Sequence, residues 1–275
     1  MNRSDRRFYM ALAAIAVILI GGYAGLVAYT GFSSPFSVVT SQSMQHNQTQ
    51  SELGCIDTGD MVIVQDPSKT KIHSYVEGTQ DGYSSFGDYG SVIIYERGEN
   101  KNPVIHRAIL WLDYDPETGT WSAPQLQGYK GEWKSDNGNN WYDLKGTLTL
   151  KDITISKKTV KIDLDSITNK KSGYLTMGDN AVSNTYFDQT VGIIDHPIGI
   201  EDIRSIAIFE IPWIGCIKLF INGSSNLKYV ENSIPSLIMS FISIFMLLLV
   251  FDAVSLYKNQ KNASKKMENM ERCER

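Results

Sequence analysis

Two uninterrupted apolar runs, one near each end, limit what this chain can fold into more than any other feature. Phe8 to Tyr29, FYMALAAIAVILIGGYAGLVAY, runs 22 residues without a charge, and about 20 such residues cross the hydrocarbon core of a bilayer. Arg3, Arg6 and Arg7 precede it. A cleavable secretion signal has an apolar core of roughly 7–15 residues, so the length favours a retained anchor. The second run, Ile234 to Phe251, has Pro235 near its start, where a helix accepts it, and gives way after Asp252 to a basic tail. Basic flanks stay on the cytoplasmic side. The expected organisation is a cytoplasmic N-terminus (1–7), a transmembrane helix (8–29), an extracytoplasmic segment (30–233), a second transmembrane helix (234–257) and a cytoplasmic tail (258–275).

Charge and cysteine usage narrow the outer segment. The whole chain carries a formal net charge of −4, and removing the basic ends leaves residues 30–233 more acidic still. That balance argues against nucleic acid as a partner and fits a soluble domain held at the outer membrane face. With 4 His, 3 Cys and neither a CxxC nor an HExxH pattern, no metal site is expected. Cys55 and Cys216 lie outside, where a disulfide is permitted; a bridge and two buried free thiols both fit. Asn47 and Asn222 begin outer glycosylation sequons.

The outer segment reads as β. FSVVT, MVIVQ, SVIIYE and PVIHRAILWL are β-branched or aromatic runs separated by Gly-Asp and Gly-Asn turns. GTLTLKDITISKKTVKIDL alternates as half-exposed antiparallel hairpins do. GIEDIRSIAIFEI fits a helix or a strand, and no other outer stretch holds a helical period. Trp111, Trp121, Trp133 and Trp141 fall amid Gly, Asn, Lys and Asp, a composition that marks about 112–174 as an inserted β-rich subdomain. Packing within hairpins is the favoured role of these rings, ahead of a binding surface.

Chemistry concentrates in four ordered blocks: SQSM at 41–44, GDMVIV at 59–64, FGDYGSVIIYERGENKNPVIHRAI at 86–109 and TMGDNAVSNTYFDQ at 176–189. A serine hydroxyl needs an adjacent base before it attacks a carbonyl. Ser43 stands where a β-branched run breaks into a turn, a place that exposes its oxygen. His106 sits within an expected strand, and an unperturbed imidazole titrates near ~6.5, suited to a base at neutral pH. Asp179 and Asp188 are the carboxylates available to orient that ring. His73 and His196 read as surface residues, while His46, three residues beyond Ser43, stays open as a local turn residue or a base.

These blocks, the preceding anchor and the segment IPWIGCIKLF resemble the type I signal peptidases, in their archaeal and endoplasmic-reticulum branch. The stretch from about Leu112 to Tyr174 has no counterpart in that resemblance. It implies a mainly β fold: a signal-peptidase-like antiparallel β catalytic domain with an inserted β-rich subdomain, flanked by two transmembrane helices. It implies Ser43 as nucleophile and His106 as base, at a position where bacterial relatives carry lysine. Ser41 and the Ser43 N–H would hold the oxyanion. Block order gives Asp188 the task of orienting His106 and Asp179 that of supporting the site; the reverse stays open, because relatives keep the two closer than nine positions apart. Met44, Val38, Val92 and Ile94 are the implied substrate-contacting residues. The implied activity is endopeptidase cleavage of signal peptides after small residues at the outer membrane face, without a cofactor and with activity rising as the histidine base loses its proton. Signal peptides of secretory precursors, membrane lipid and the protein-export translocon are the implied partners. Two other readings share the topology: a non-enzymatic receptor or assembly factor, and a specialised peptidase for narrower precursors.

Overall fold

The computed structural model describes residues 3–99, 101–221, 223, 230 and 232–273. The sequon at Asn222 lies outside them. Two long helices frame the molecule: α1 (Arg3–Thr30) and α4 (Ser233–Cys273). Their segments Arg6–Thr30 and Ser233–Asn262 are long and apolar enough to cross a membrane, and most of their described side chains are exposed, with Thr30 and Ser233 buried where the helices meet the sheet domain. Both helices extend past the apolar runs that define them in sequence, because flanking polar residues continue a helix already nucleated.

Between them the chain is mainly antiparallel β. The strands are β1 (Phe36–Val38), β2 (Met61–Gln65), β3 (Ser84–Ser85), β4 (Asp88–Tyr89), β5 (Val92–Tyr95), β6 (Val104–Asp115), β7 (Thr120–Ser122), β8 (Trp133–Ser135), β9 (Thr147–Ile153), β10 (Lys158–Asp163), β11 (Gly173–Met177) and β12 (Ile203–Ile211). The main sheet runs β1-β2-β12-β5-β6-β11, with β7 pairing the far end of β6. Strand β5 is buried along its whole length, as its VIIY sequence requires of a central strand. GIEDIRSIAIFEI resolves into a 3-10 turn at Ile200–Asp202 followed by β12.

The insertion begins inside a strand. β6 carries the chain to Asp115 before it leaves the main sheet, and β11 brings it back from Gly173. Strands β8 to β10 form their own sheet, in the order β10-β9-β8. That sheet does not stand apart: Leu148, Leu150 and Val160 share one apolar cluster with Ile109, Leu110 and Leu175 of the main sheet. Trp121 is buried there, Trp133 and Trp141 pack against it, and Trp111 lies edge-on to Tyr174 at 4.7 Å. All four rings fill space between elements. Cys55 and Cys216 are buried free thiols.

Two short outer helices went unread in the sequence. The first, α2 (Tyr75–Asp81), is fixed by a capping box between Ser74 and Glu77 and ends on Gly82 with φ 83°. It has barely two turns, too few to display a period. The second, α3 (Ile214–Ile221), is apolar on most sides and reads equally as a strand.

The fold ties both long helices to one region of the sheet. At the end of β2, Asp66 N donates to Thr30 O (2.8 Å) and Gln65 Nε2 to Tyr29 O (2.9 Å), which seats the end of α1. In the loop before β2, the buried Ser233 hydroxyl donates to Thr58 O (2.6 Å), which seats the start of α4. Asn232 Nδ2 also reaches Gln48 O (2.8 Å), linking the entry to α4 with the loop that follows Ser43.

Candidate functional site

A cleft of about 510 Å³ is lined by Ser37 to Ser41, Ser43, Asn102 to His106, Ile94, Arg97, Asn184 and Ile193 without Gln42. Its two long walls are strands with unpaired edges. β1 is the outermost strand of the sheet and, among the described residues, pairs only with β2. On β6, pairing with β11 stops at Arg107, so among the described residues Val104, Ile105 and His106 pair only with β5. Val92 and Ile94, implied substrate contacts, stand on β5, which is paired on both sides, by β12 and β6, and offers no edge to an added strand. Only the Ile94 side chain reaches the cleft. Val38 lines it too. Met44 and Val92 do not: both are buried in the apolar cluster beneath, with Val39, Ile56 and Val62. By alternation Val92 and Ile94 share one face of β5, and of the two it is Ile94 that lines the cleft.

Ser43 sits in the turn after β1, and a separate loop holds that turn. Asn180 N donates to Ser43 O (2.9 Å), and Asn180 Nδ2 donates to Gln42 O (2.7 Å). Gly178 permits this approach, since a Cβ there would run into the Ser43 carbonyl and the Asn184 side chain. The Ser43 hydroxyl lies 3.2 Å from the Ser41 hydroxyl, and among the described residues its partner is Ser41, not His106. The Ser43 N–H has no protein acceptor among the described residues.

His106 projects from β6 and is oriented from behind. Its Nδ1–H donates to Asp188 Oδ2 at 2.7 Å, which leaves Nε2 as the proton acceptor. The same oxygen accepts from the Tyr95 hydroxyl (2.7 Å) and the Thr176 hydroxyl (2.7 Å). Burial, then the Asp188 charge, push the Tyr95 phenol well above its ordinary value, so it stays a donor. A histidine held by a buried carboxylate and lining the same cleft as a serine is an arrangement able to take and return a proton.

Asp179 does something else. Its carboxylate meets the fully buried Arg107, whose Nε donates to Oδ1 (2.8 Å) and whose second nitrogen pairs with Oδ2. Arg107 also donates to the carbonyls of Ser85 (3.0 Å) and Gly90 (3.0 Å), knitting the β3–β4 hairpin to β6. Burial works against the Asp179 charge, but the guanidinium and then His46 overcome it and hold the carboxyl well below the usual range. His46 Nε2–H donates to Asp179 Oδ2 (3.2 Å), and its Nδ1 meets Cys55 Sγ (3.2 Å). Burial disfavours a charged His46, yet those two bonds raise it to about 10. His46 is therefore a partner of Asp179, outside the cleft lining.

His46, Glu52 and Cys55 bring three metal-ligating atoms within 4.8 Å of one another. Each is already engaged: His46 as above, and Glu52 by Asn47 Nδ2 at 3.1 Å. Sequence reasoning missed Tyr95, Thr176, Gly178 and Asn180. The available signal for the last two is the Gly178-Asp179-Asn180 triplet, whose glycine and asparagine border the aspartate.

No protein-family model matches this chain, and no curated protein matches it either.

Proposed function

We propose that this chain is a membrane-held serine endopeptidase of the type I signal peptidase kind, removing N-terminal signal peptides at the outer membrane face. The observation that carries this reading is the cleft that gathers Ser41, Ser43 and His106, with Asp188 bonded to His106 at 2.7 Å. Ser43 attacks the carbonyl of the residue preceding the cut, while His106 Nε2 accepts its proton. This asks the hydroxyl to turn from Ser41 toward the imidazole, a tightening that substrate commonly brings to a resting site. Ser41 and the Ser43 N–H then face the oxyanion, an interaction worth about 10²–10³ in rate per donor. His106 passes the proton to the leaving amine, and water releases the acyl group by the same steps reversed.

The walls suit an extended substrate. Free edges on β1 and on Val104–His106 offer backbone partners to a strand lying between them. In such a strand the side chains at −1 and −3 point the same way, which matches the small residues preceding a signal cleavage site. Basic flanks on both long helices favour cytoplasmic termini and an outer catalytic domain. The ties from the Ser43 loop to the start of α4 keep the cleft near the bilayer, where a signal peptide's apolar core ends. Secretory precursors, membrane lipid and the export translocon are the corresponding partners. Incubating detergent-purified protein with a secretory precursor tests the reading. Cleavage after the small residue, lost in Ser43→Ala and His106→Ala, supports it; a well-folded protein that cuts no precursor overturns it in favour of a receptor.

A further inference from the structure

The inserted sheet reaches the loop that holds Ser43. Lys158, the first residue of β10, is only 9% exposed. Its ammonium donates to four carbonyls: Gly178 (3.2 Å), Asp179 (3.2 Å), Asn180 (2.9 Å) and Asn184 (2.6 Å). The turn before it makes two more contacts, Ile155 N to Asp88 Oδ2 (2.6 Å) and the Ser156 hydroxyl to Asp179 O (3.4 Å). This turn is also where left-handed backbone concentrates at residues other than glycine, with Asp152 at φ 52°, Thr154 at 60° and Lys157 at 48°. Such conformations persist where the surroundings over-determine them and mark places of function. A buried charge is held only when hydrogen bonds satisfy it, and carbonyl oxygens of one loop supply those here.

We propose that Lys158 is a positioning residue through which the inserted β8–β10 sheet braces the 178–184 loop, and through it the backbone of Ser43. The chain of contacts is continuous: Lys158 to the carbonyls of 178–184, then Asn180 to the carbonyls of Ser43 and Gln42. Gly178 lies against the Ser43 carbonyl on the same loop. A lysine amine in a cage of carbonyls acts as a tethered cation, drawing the loop into one conformation, and one of its acceptors belongs to Asn184, which lines the cleft. Burial lowers Lys158 to about 8, against the pull of Asp179 and then Asp88; Asp179 is also bonded to two other cations, Arg107 and His46, and Arg107 donates to the Asp88 carbonyl. A neutral amine has two protons to donate in place of three, so the brace slackens as pH rises past that value.

The catalytic arm of the test rests on the peptidase reading above; the exchange arm does not. In full-length detergent-solubilised protein, hydrogen exchange would be compared between wild type and Lys158→Met. Faster exchange is expected in peptides covering 178–184 and 41–46, with 147–153 unchanged. Unchanged exchange at 178–184 overturns the proposal, and so does melting of the whole 133–163 sheet, which would make Lys158 a packing residue. In precursor cleavage, Lys158→Met is expected to lose about 10²-fold in kcat with KM little changed, the scale of a misplacement near 1 Å. Lys158→Arg, which keeps its charge, is expected to recover activity and to retain it at pH 9 where wild type declines. Superimposable pH profiles for wild type and Lys158→Arg overturn the brace. Cleavage that persists in Ser43→Ala sinks the peptidase reading alone, leaving the exchange comparison to decide on Lys158.

Discussion

Asp179 and Asp188 share a loop and are both buried, each against basic partners of its own, and removing each has a different consequence. Asp188 accepts three hydrogen bonds on one oxygen, from His106, Tyr95 and Thr176. Asp188→Asn keeps the shape but favours the wrong imidazole tautomer, so a loss of about 10⁴-fold in kcat is expected with folding retained. Asp179→Asn instead leaves Arg107 buried without its counter-charge, which costs about 3–5 kcal/mol of stability. Measuring cleavage and thermal unfolding on both variants separates the roles; an Asp188→Asn protein with full activity contradicts the account. Block order assigns Asp188 to His106 and Asp179 to support, and the hydrogen bonds fall that way, but sequence order alone leaves the reverse open. The pairing of Asp179 with Arg107 spans 72 positions, and nothing local to either residue announces it.

At the scale of elements, the loop between β1 and β2 carries an acidic cluster that faces the end of β12. Asp60 accepts from Trp213 N (2.8 Å) and Asp57 N (2.7 Å), and burial pushes it up to about 7. Burial, then the Asp60 charge, raise Glu210 to about 8. In the unfolded chain both carboxyls lose their protons near pH ~4. The fold therefore holds protons that the unfolded chain releases, so this contribution to stability is complete below that pH. It is lost as pH rises through about 7 for Asp60 and about 8 for Glu210. Glu210→Gln removes one of the two titrations and should raise stability at pH 8 relative to pH 5 by on the order of 1–2 kcal/mol over wild type. Denaturant unfolding at the two pH values checks this, and an unchanged difference contradicts it. Elements were legible where their pattern was long. β2, β5, β6 and the β9–β10 hairpin follow their β-branched runs, and the two apolar helices follow their length. Helix α2 rests on two capping side chains and α3 on tertiary packing, which no period reveals. The free edge at Val104–His106 was hidden for a similar reason, since it depends on where β11 stops.

At the scale of the molecule, the two apolar helices, the main sheet and the inserted sheet meet around one loop system. α1 ends against β2, α4 starts against the loop before β2, and the turn bearing Ser43 lies between that loop and residues 178–184. The two long apolar helices and the cleft are thus tied together by hydrogen bonds to the sheet and its loops. Loosening one tie should shift where a substrate is cut or how well it is reached before it unfolds the domain. Ser233→Ala, which removes the bond to Thr58, is expected to lower cleavage of membrane-embedded precursors more than cleavage of a short soluble peptide. Equal effects on both substrates would contradict that expectation. The most direct measurement of the central claim is cleavage of one secretory precursor by purified full-length protein, comparing wild type, Ser43→Ala and His106→Ala, with folding checked for each. Cleavage by wild type after the small residue and its loss in both variants is the predicted result. Cleavage that survives Ser43→Ala, or its absence in well-folded wild type, would contradict the account.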